Sequence, residues 1–150
     1  MEIEVTTTPS GDDLECISQG IQAYNRATVP GLPEVSADLK FAVFARDPND
    51  NVVGGIRATA FWGHLCIELL WLSEQARGQG VGKRLVERAE SFAVENGYRY
   101  ARVETTSFQA KPFYEKLGYR VFGVLENFPE GHTSFYMHKR LAGEGRSIKR

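Results

Sequence analysis

One stretch of the chain, residues 64–106, restricts the fold more than any other. His64–Leu72 reads as a strand that is apolar on both faces and closes with Leu69-Leu70-Trp71-Leu72. A strand of that kind belongs in the middle of a sheet. Residues 77–82 then read Arg-Gly-Gln-Gly-Val-Gly, and an amphipathic run starts directly behind them. Over residues 80–96 the apolar positions Val81, Leu85, Val86, Ala89, Phe92 and Ala93 fall on one helical stripe, and Gly97 ends the run. Residues 98–106 read as a further strand. A strand, a helix and a second strand in this order make a parallel pair joined by a right-handed crossover.

The remaining elements build outward from that pair. Ile3 and Val5 alternate with polar neighbours, which predicts a strand over residues 2–7. Asp12 and Asp13 can cap a helix running to about residue 26, with Leu14, Ile17, Ile21 and Tyr24 on one face. Residues 41–45 and 52–61 read as strands around the turn at 47–51, and Gly54-Gly55 signals a bulge or a close approach. A short helix is expected over residues 110–117, with Pro112 tolerable only in its first turn. Residues 119–125 and 133–139 read as an antiparallel hairpin. The fold class is therefore α/β: a mixed, mostly antiparallel sheet with a parallel pair at its centre, flanked by helices.

A length of 150 residues suits a single domain, expected over residues 1–142. Residues 143–150, with Arg146, Lys149 and Arg150, lack an apolar pattern and read as a flexible basic tail. The net charge of −1 provides no field to gather nucleic acid or anionic lipid. No apolar run is long enough to span a membrane. Cys16 and Cys66 fit neither a metal spacing nor a disulfide framework, so the expected setting is the reducing cytoplasm and no metal is expected.

The glycine loop is built like an anion site. The first N–H groups of a helix lack intrahelical partners, and the helix dipole adds positive potential there. Missing Cβ atoms at Gly78, Gly80 and Gly82 let a phosphate approach the backbone, and Arg77 and Lys83 add charge. A pyrophosphate suits such a loop. A phosphate-binding P-loop would need Gly at position 77 and Ser or Thr at 84, where this chain has Arg at both. The dinucleotide spacing G-x-G-x-x-G is likewise not met.

Arg77, Gly80 and Gly82 match the signature Q/R-x-x-G-x-G/A, and the chain here resembles the GNAT superfamily of acyl-CoA-dependent N-acyltransferases. Ser107-Phe108-Gln109-Ala110-Lys111-Pro112-Phe113-Tyr114-Glu115-Lys116-Leu117-Gly118-Tyr119 is similar to that family's second segment, with Ser107 standing where Asn is common. The resemblance implies that the two parallel strands splay and that acetyl-CoA enters the gap. Its pantetheine arm would pair with main-chain groups of Leu70, Trp71 and Leu72. Its pyrophosphate would lie on Arg77, Gly78, Gln79, Gly80, Val81, Gly82 and Lys83. Ser107, Ala110, Phe113 and Tyr114 would complete the cofactor site.

The implied reaction is acetyl transfer to the primary amine of a small molecule or peptide, by direct attack in a ternary complex. A noncatalytic acyl-CoA-binding or sensing module is the alternative. Transfer requires deprotonation of the amine, stabilisation of an oxyanion and protonation of the leaving thiolate. Tyr114 is the candidate acid by resemblance. A backbone N–H near Leu70 or Trp71 is the candidate oxyanion donor. For the base, strand alternation puts Leu65, Ile67, Leu69 and Trp71 on one face and His64, Cys66, Glu68 and Leu70 on the other. Glu68 in a central strand would have its pKa raised by burial, which suits a base; an ion pair with Arg57 or Arg102 is the competing role. His64 ranks second and Glu104 third, and a water chain could replace all three. The acceptor would be framed by Tyr24, Asn25, Phe128 and His132. An exposed strand edge in the closing hairpin would suit a homodimer.

Overall fold

The computed structural model describes residues 1–141, so the tail expected over residues 143–150 lies outside the described residues. Contacts divide the chain into two compact units, Met1–Ala37 and a larger one beginning at Asp38.

The first unit contains helix α1, Gly11–Thr28. Its N-cap is Ser10, whose Oγ accepts from the Asp13 N–H at 3.1 Å. Asp12 and Asp13 thus lie inside the first turn, where their charge favours the dipole, and are not the cap itself. The Val29 N–H closes the helix on the Asn25 carbonyl, ahead of Pro30. The strand expected over residues 2–7 does not form. Residues 1–6 are irregular, with Ile3 and Val5 exposed. An extended segment becomes a strand only beside a neighbour that pairs its N–H and C=O groups, and residues 2–7 are not part of the sheet.

The second unit is built on six strands: β1 (Leu39–Arg46), β2 (Val52–Phe61), β3 (His64–Leu72), β4 (Tyr100–Thr106), β5 (Arg120–Glu126) and β6 (Thr133–Arg140). They lie in the order β1-β2-β3-β4-β6-β5, and every neighbouring pair is antiparallel except β3 with β4. Helix α2 (Val81–Glu95) makes the crossover between β3 and β4, and the short α3 (Lys111–Lys116) follows β4. The mixed sheet with a central parallel pair is the architecture expected from the strand–loop–helix–strand pattern.

The core lies between the sheet and α2. Ile56, Ala58, Leu65, Ile67, Ala101, Val103 and Met137 of the sheet meet Leu85, Val86, Ala89 and Ala93 of the helix. A polar cluster enters this layer. Glu90 of α2 accepts from the Tyr119 hydroxyl at 2.8 Å and from Lys139 Nζ at 3.1 Å. Burial and the Glu90 carboxylate push the Tyr119 phenol up, so it stays a donor. Among the described residues no helix is long and apolar enough to cross a membrane.

Candidate active site

The site begins with an extra residue in β3. Arg57 of β2 faces Leu69, and Ala58 faces Ile67, which leaves Glu68 as the unmatched residue of a bulge. Alternation resets across it. Leu65 and Ile67 are buried before the bulge; after it Leu70 and Leu72 pack on the core, while Leu69 and Trp71 are exposed. The expectation that Leu69 and Trp71 share a face with Leu65 and Ile67 is therefore corrected, and Leu70 moves to the core side. A uniform period of two cannot survive an inserted residue.

The parallel pairing also stops at this point. β3 and β4 pair from His64↔Tyr100 to Ile67↔Val103, and no further. Both strands continue, β3 to Leu72 and β4 to Thr106, so they diverge and leave the facing main-chain groups of β3 without a strand partner. A cleft of about 450 Å³ opens there on the helix side. Its walls are residues 67–72 of β3, 103–105 of β4, and Gln109, Ala110, Phe113 and Tyr114; Arg77 and Gly82 close one end.

The glycines of the loop have different tasks. Gly78 and Gly80 have φ of +74° and +77°, which other residues adopt only with strain. Gly80 is the N-cap of α2, and the first intrahelical bond runs from the Arg84 N–H to its carbonyl. The N–H groups of Val81, Gly82 and Lys83 therefore precede the helical ladder. At Gly82 the need is space, since a Cβ there would come within 3.2 Å of Phe113 Cζ. Arg77 Nε donates to the Leu72 carbonyl at 3.2 Å, and Gln79 Nε2 to the Gln75 carbonyl at 2.6 Å. Beside the helix start lies a hollow of about 310 Å³ whose lining includes both Lys83 and Lys116. Lys116 escaped the sequence reading because nothing in a helical FYEK run tells which side chain turns toward the loop.

Tyr114 is 4% exposed and faces the cleft. Burial pushes its phenol up to about 12. None of the described residues hydrogen-bonds its hydroxyl. Ala110, at the entry of α3, is tied down by its N–H to Thr105 Oγ1 at 3.1 Å. Ser107 is not in the cleft wall; its Oγ accepts from the Thr133 N–H at 3.2 Å and joins the β4 end to β6.

Glu68 departs from expectation. Thr59 Oγ1 donates to it at 2.6 Å and Arg57 Nε at 2.9 Å. The Thr59 bond, with the Arg57 bond and charge, holds its carboxyl below the usual range against the opposing effect of burial. The expected raised pKa is thus corrected: the bulge delivers the carboxylate to two donors on β2, and the ion pair with Arg57 is present. His64 stands at the far end of the paired segment, its Nδ1 3.0 Å from the Trp62 carbonyl and its ring stacked on Tyr100. It lines neither of the two clefts that meet at the divergence. Glu104 lies at the divergence itself, where Ser134 Oγ donates to it at 2.8 Å.

A second cleft, about 440 Å³, opens on the opposite face of the sheet. It shares Ile67, Glu68, Val103, Glu104 and Gln109 with the first, so the two meet through the gap between β3 and β4. Phe61, Phe122 and Tyr136 give it aromatic walls, and Arg102 enters it from β4. Phe128 and His132 lie in the turn between β5 and β6, with His132 edge-on to Phe108, and line neither of these clefts. Tyr24, which is exposed, and Asn25 belong to the first unit. Sequence alone could not find this second cleft, because Phe122 and Tyr136 reach it only through the pairing of β6 between β4 and β5.

The central parallel pair thus parts beside a glycine-started helix, and a cleft opens on each side of the sheet. The acetyltransferase (GNAT) family profile matches residues 19–119. A blasticidin-S acetyltransferase of Streptomyces morookaense is 38% identical over 102 residues, covering 67% of this chain and 75% of that protein. An acetyltransferase of Agrobacterium fabrum is 30% identical over 104 residues, covering 69% of this chain and 74% of the relative. The crystal structure of an acetyltransferase from Bacillus cereus superposes with a TM-score of 0.81 at 31% identity, over 92% of this chain and 98% of that one. The chain belongs to the acetyltransferase (GNAT) family, and is an acyltransferase with acetyl-CoA as its co-substrate.

Proposed function

We propose that the protein transfers the acetyl group of acetyl-CoA to the primary amine of a small molecule, by direct attack in a ternary complex. The observation that carries this reading is the meeting of two clefts from opposite faces at Glu68 and Glu104. One face would take the thioester and the other the amine, with the reacting atoms in the gap.

The residues of the first cleft suit the co-substrate. The free N–H groups of Val81, Gly82 and Lys83, with the ammonium groups of Lys83 and Lys116, complement a diphosphate. The unpaired main-chain groups of β3 complement an amide-containing arm, and a N–H near Leu70 or Trp71 is the candidate oxyanion donor. The bound group supplies an activated acetyl thioester; the rest falls to the chain. Tyr114 keeps its phenolic proton across the neutral range and can donate it toward a sulfur gaining negative charge. A free thiol has a pKa of about 8.5, but a buried sulfur anion is raised by the same loss of solvent that raises Tyr114. Glu68, held ionised by Thr59 and Arg57, attracts the ammonium form of the acceptor and is a weak proton acceptor. Glu104 makes no ion pair among the described residues and lines both clefts at the gap, so its position suits it to take the proton, directly or through water.

Similarity to a blasticidin-S acetyltransferase makes antibiotic-type amines the first acceptors to try. The test is thiol release from acetyl-CoA against a chemically broad amine panel, with both substrates varied. Intersecting initial-rate lines are expected. Parallel lines would replace direct attack by an acyl-enzyme route, and binding of acetyl-CoA without thiol release from any amine would favour a sensing role.

A further inference from the structure

Arg102 has no task in the chemistry above. It sits in the middle of a central strand, paired across to Cys66 on one side and His138 on the other. Its Nε donates to Cys66 Sγ at 3.2 Å. Neither terminal nitrogen of its guanidinium has a hydrogen bond or ion pair among the described residues. Both nearby carboxylates are otherwise engaged, Glu68 by Arg57 and Thr59 and Glu104 by Ser134. The side chain is exposed and lines the second cleft with them.

We infer that Arg102 selects an acceptor that carries an acidic group, a carboxylate or phosphate, in addition to its amine. The inference rests on the acetyltransferase reading of the second cleft. A guanidinium with a free planar edge is suited to hold a carboxylate or phosphate through two parallel bonds. Arg102 and Glu104 point to the same face of β4 two residues apart, a rise of about 6.6 Å. The cleft is thus polarised along its length, with negative charge where the amine must meet the thioester and positive charge one step away. A polycation would gain at Glu68 and Glu104 and be repelled at Arg102. An amine with an acid several bonds away would be complemented at both ends. The aromatic side chains of Phe61, Phe122 and Tyr136 would cover whatever joins the two groups.

The experiment compares amines in matched pairs that differ only in carboxylate against carboxamide, from 3-aminopropanoate to 6-aminohexanoate, by thiol release from acetyl-CoA. In the wild type the best acid should exceed its amide in kcat/KM by about 10- to 100-fold, the range for a charged hydrogen bond. The difference should lie in KM, because Arg102 is away from the reacting atoms. Arg102→Gln should bring the ratio to about one, and Arg102→Lys should restore part of it. Turnover of the amides with no advantage for any acid, or a ratio unmoved in Arg102→Gln, overturns this inference and leaves acetyl transfer standing. Absence of thiol release from both series overturns the two together.

Discussion

At the scale of single residues, Tyr114 and Glu68 show the same force with opposite outcomes. Both are partly withdrawn from water, which disfavours charge. Among the described residues no donor faces the Tyr114 oxygen, so burial alone acts and the phenol rises to about 12. Glu68 has Thr59 and Arg57, and their bonds outweigh burial. Tyr114→Phe should lower kcat by about 10²- to 10⁴-fold, as for loss of a general acid, and leave acetyl-CoA affinity within a few-fold by calorimetry. A kcat unchanged across the pH range would remove Tyr114 from the chemistry. The raised phenol also predicts the alkaline stability. An unfolded tyrosine releases its proton near pH 10, while folded Tyr114 holds it to about 12. The unfolded chain then binds fewer protons, so its contribution is intact below pH 10 and is lost as pH rises toward 12. Denaturant titrations over that window should show a shallower decline for Tyr114→Phe, with Tyr119 supplying the remainder.

At the scale of elements, the legible part of the fold was the part with a strong local signal. The glycine loop, the stripe on α2 and the apolar β3 each announce themselves, and together they predict the parallel pair and the glycine turn that starts α2. The bulge at Glu68 was hidden because Leu69, Leu70, Trp71 and Leu72 are all apolar, so alternation carries no information across them. Two alternating apolar residues, Ile3 and Val5, suggest a strand over residues 2–7 that does not form, since pattern cannot report whether a neighbour is present. The second cleft was out of reach because its walls come from β2, β3, β4, β5 and β6, joined only by tertiary pairing. One element is sharply testable. Gly80→Ala should cost about 1–2 kcal/mol from its left-handed backbone. Gly82→Val should also displace Phe113 from the helix start. Both should weaken acetyl-CoA binding, and Gly82→Val should do so with less change in the unfolding of the apo protein than in Kd. An unaltered Kd for both variants would move the diphosphate away from this loop.

At the scale of the whole molecule, the second unit consists of two half-sheets. β1-β2-β3 and β4-β6-β5 share four residue pairs, from His64↔Tyr100 to Ile67↔Val103. The packed core and the Glu90 bonds from α2 to Tyr119 and Lys139 reinforce that junction. A ligand lying along the open length of β3 would act as a splint across a hinge line, stiffening both halves at once. Saturation at about 100 times Kd adds about 2.7 kcal/mol to folding. Hydrogen exchange with acetyl-CoA present should therefore slow at amides of residues 68–72 and 103–106 together, although the arm would pair with only one of these edges. Protection restricted to the β3 amides would mean that the halves do not share their motion. With coordinated protection, a ligand in the gap between the strand ends would act on both leaves through their shared core and turn them into one stiffer plate.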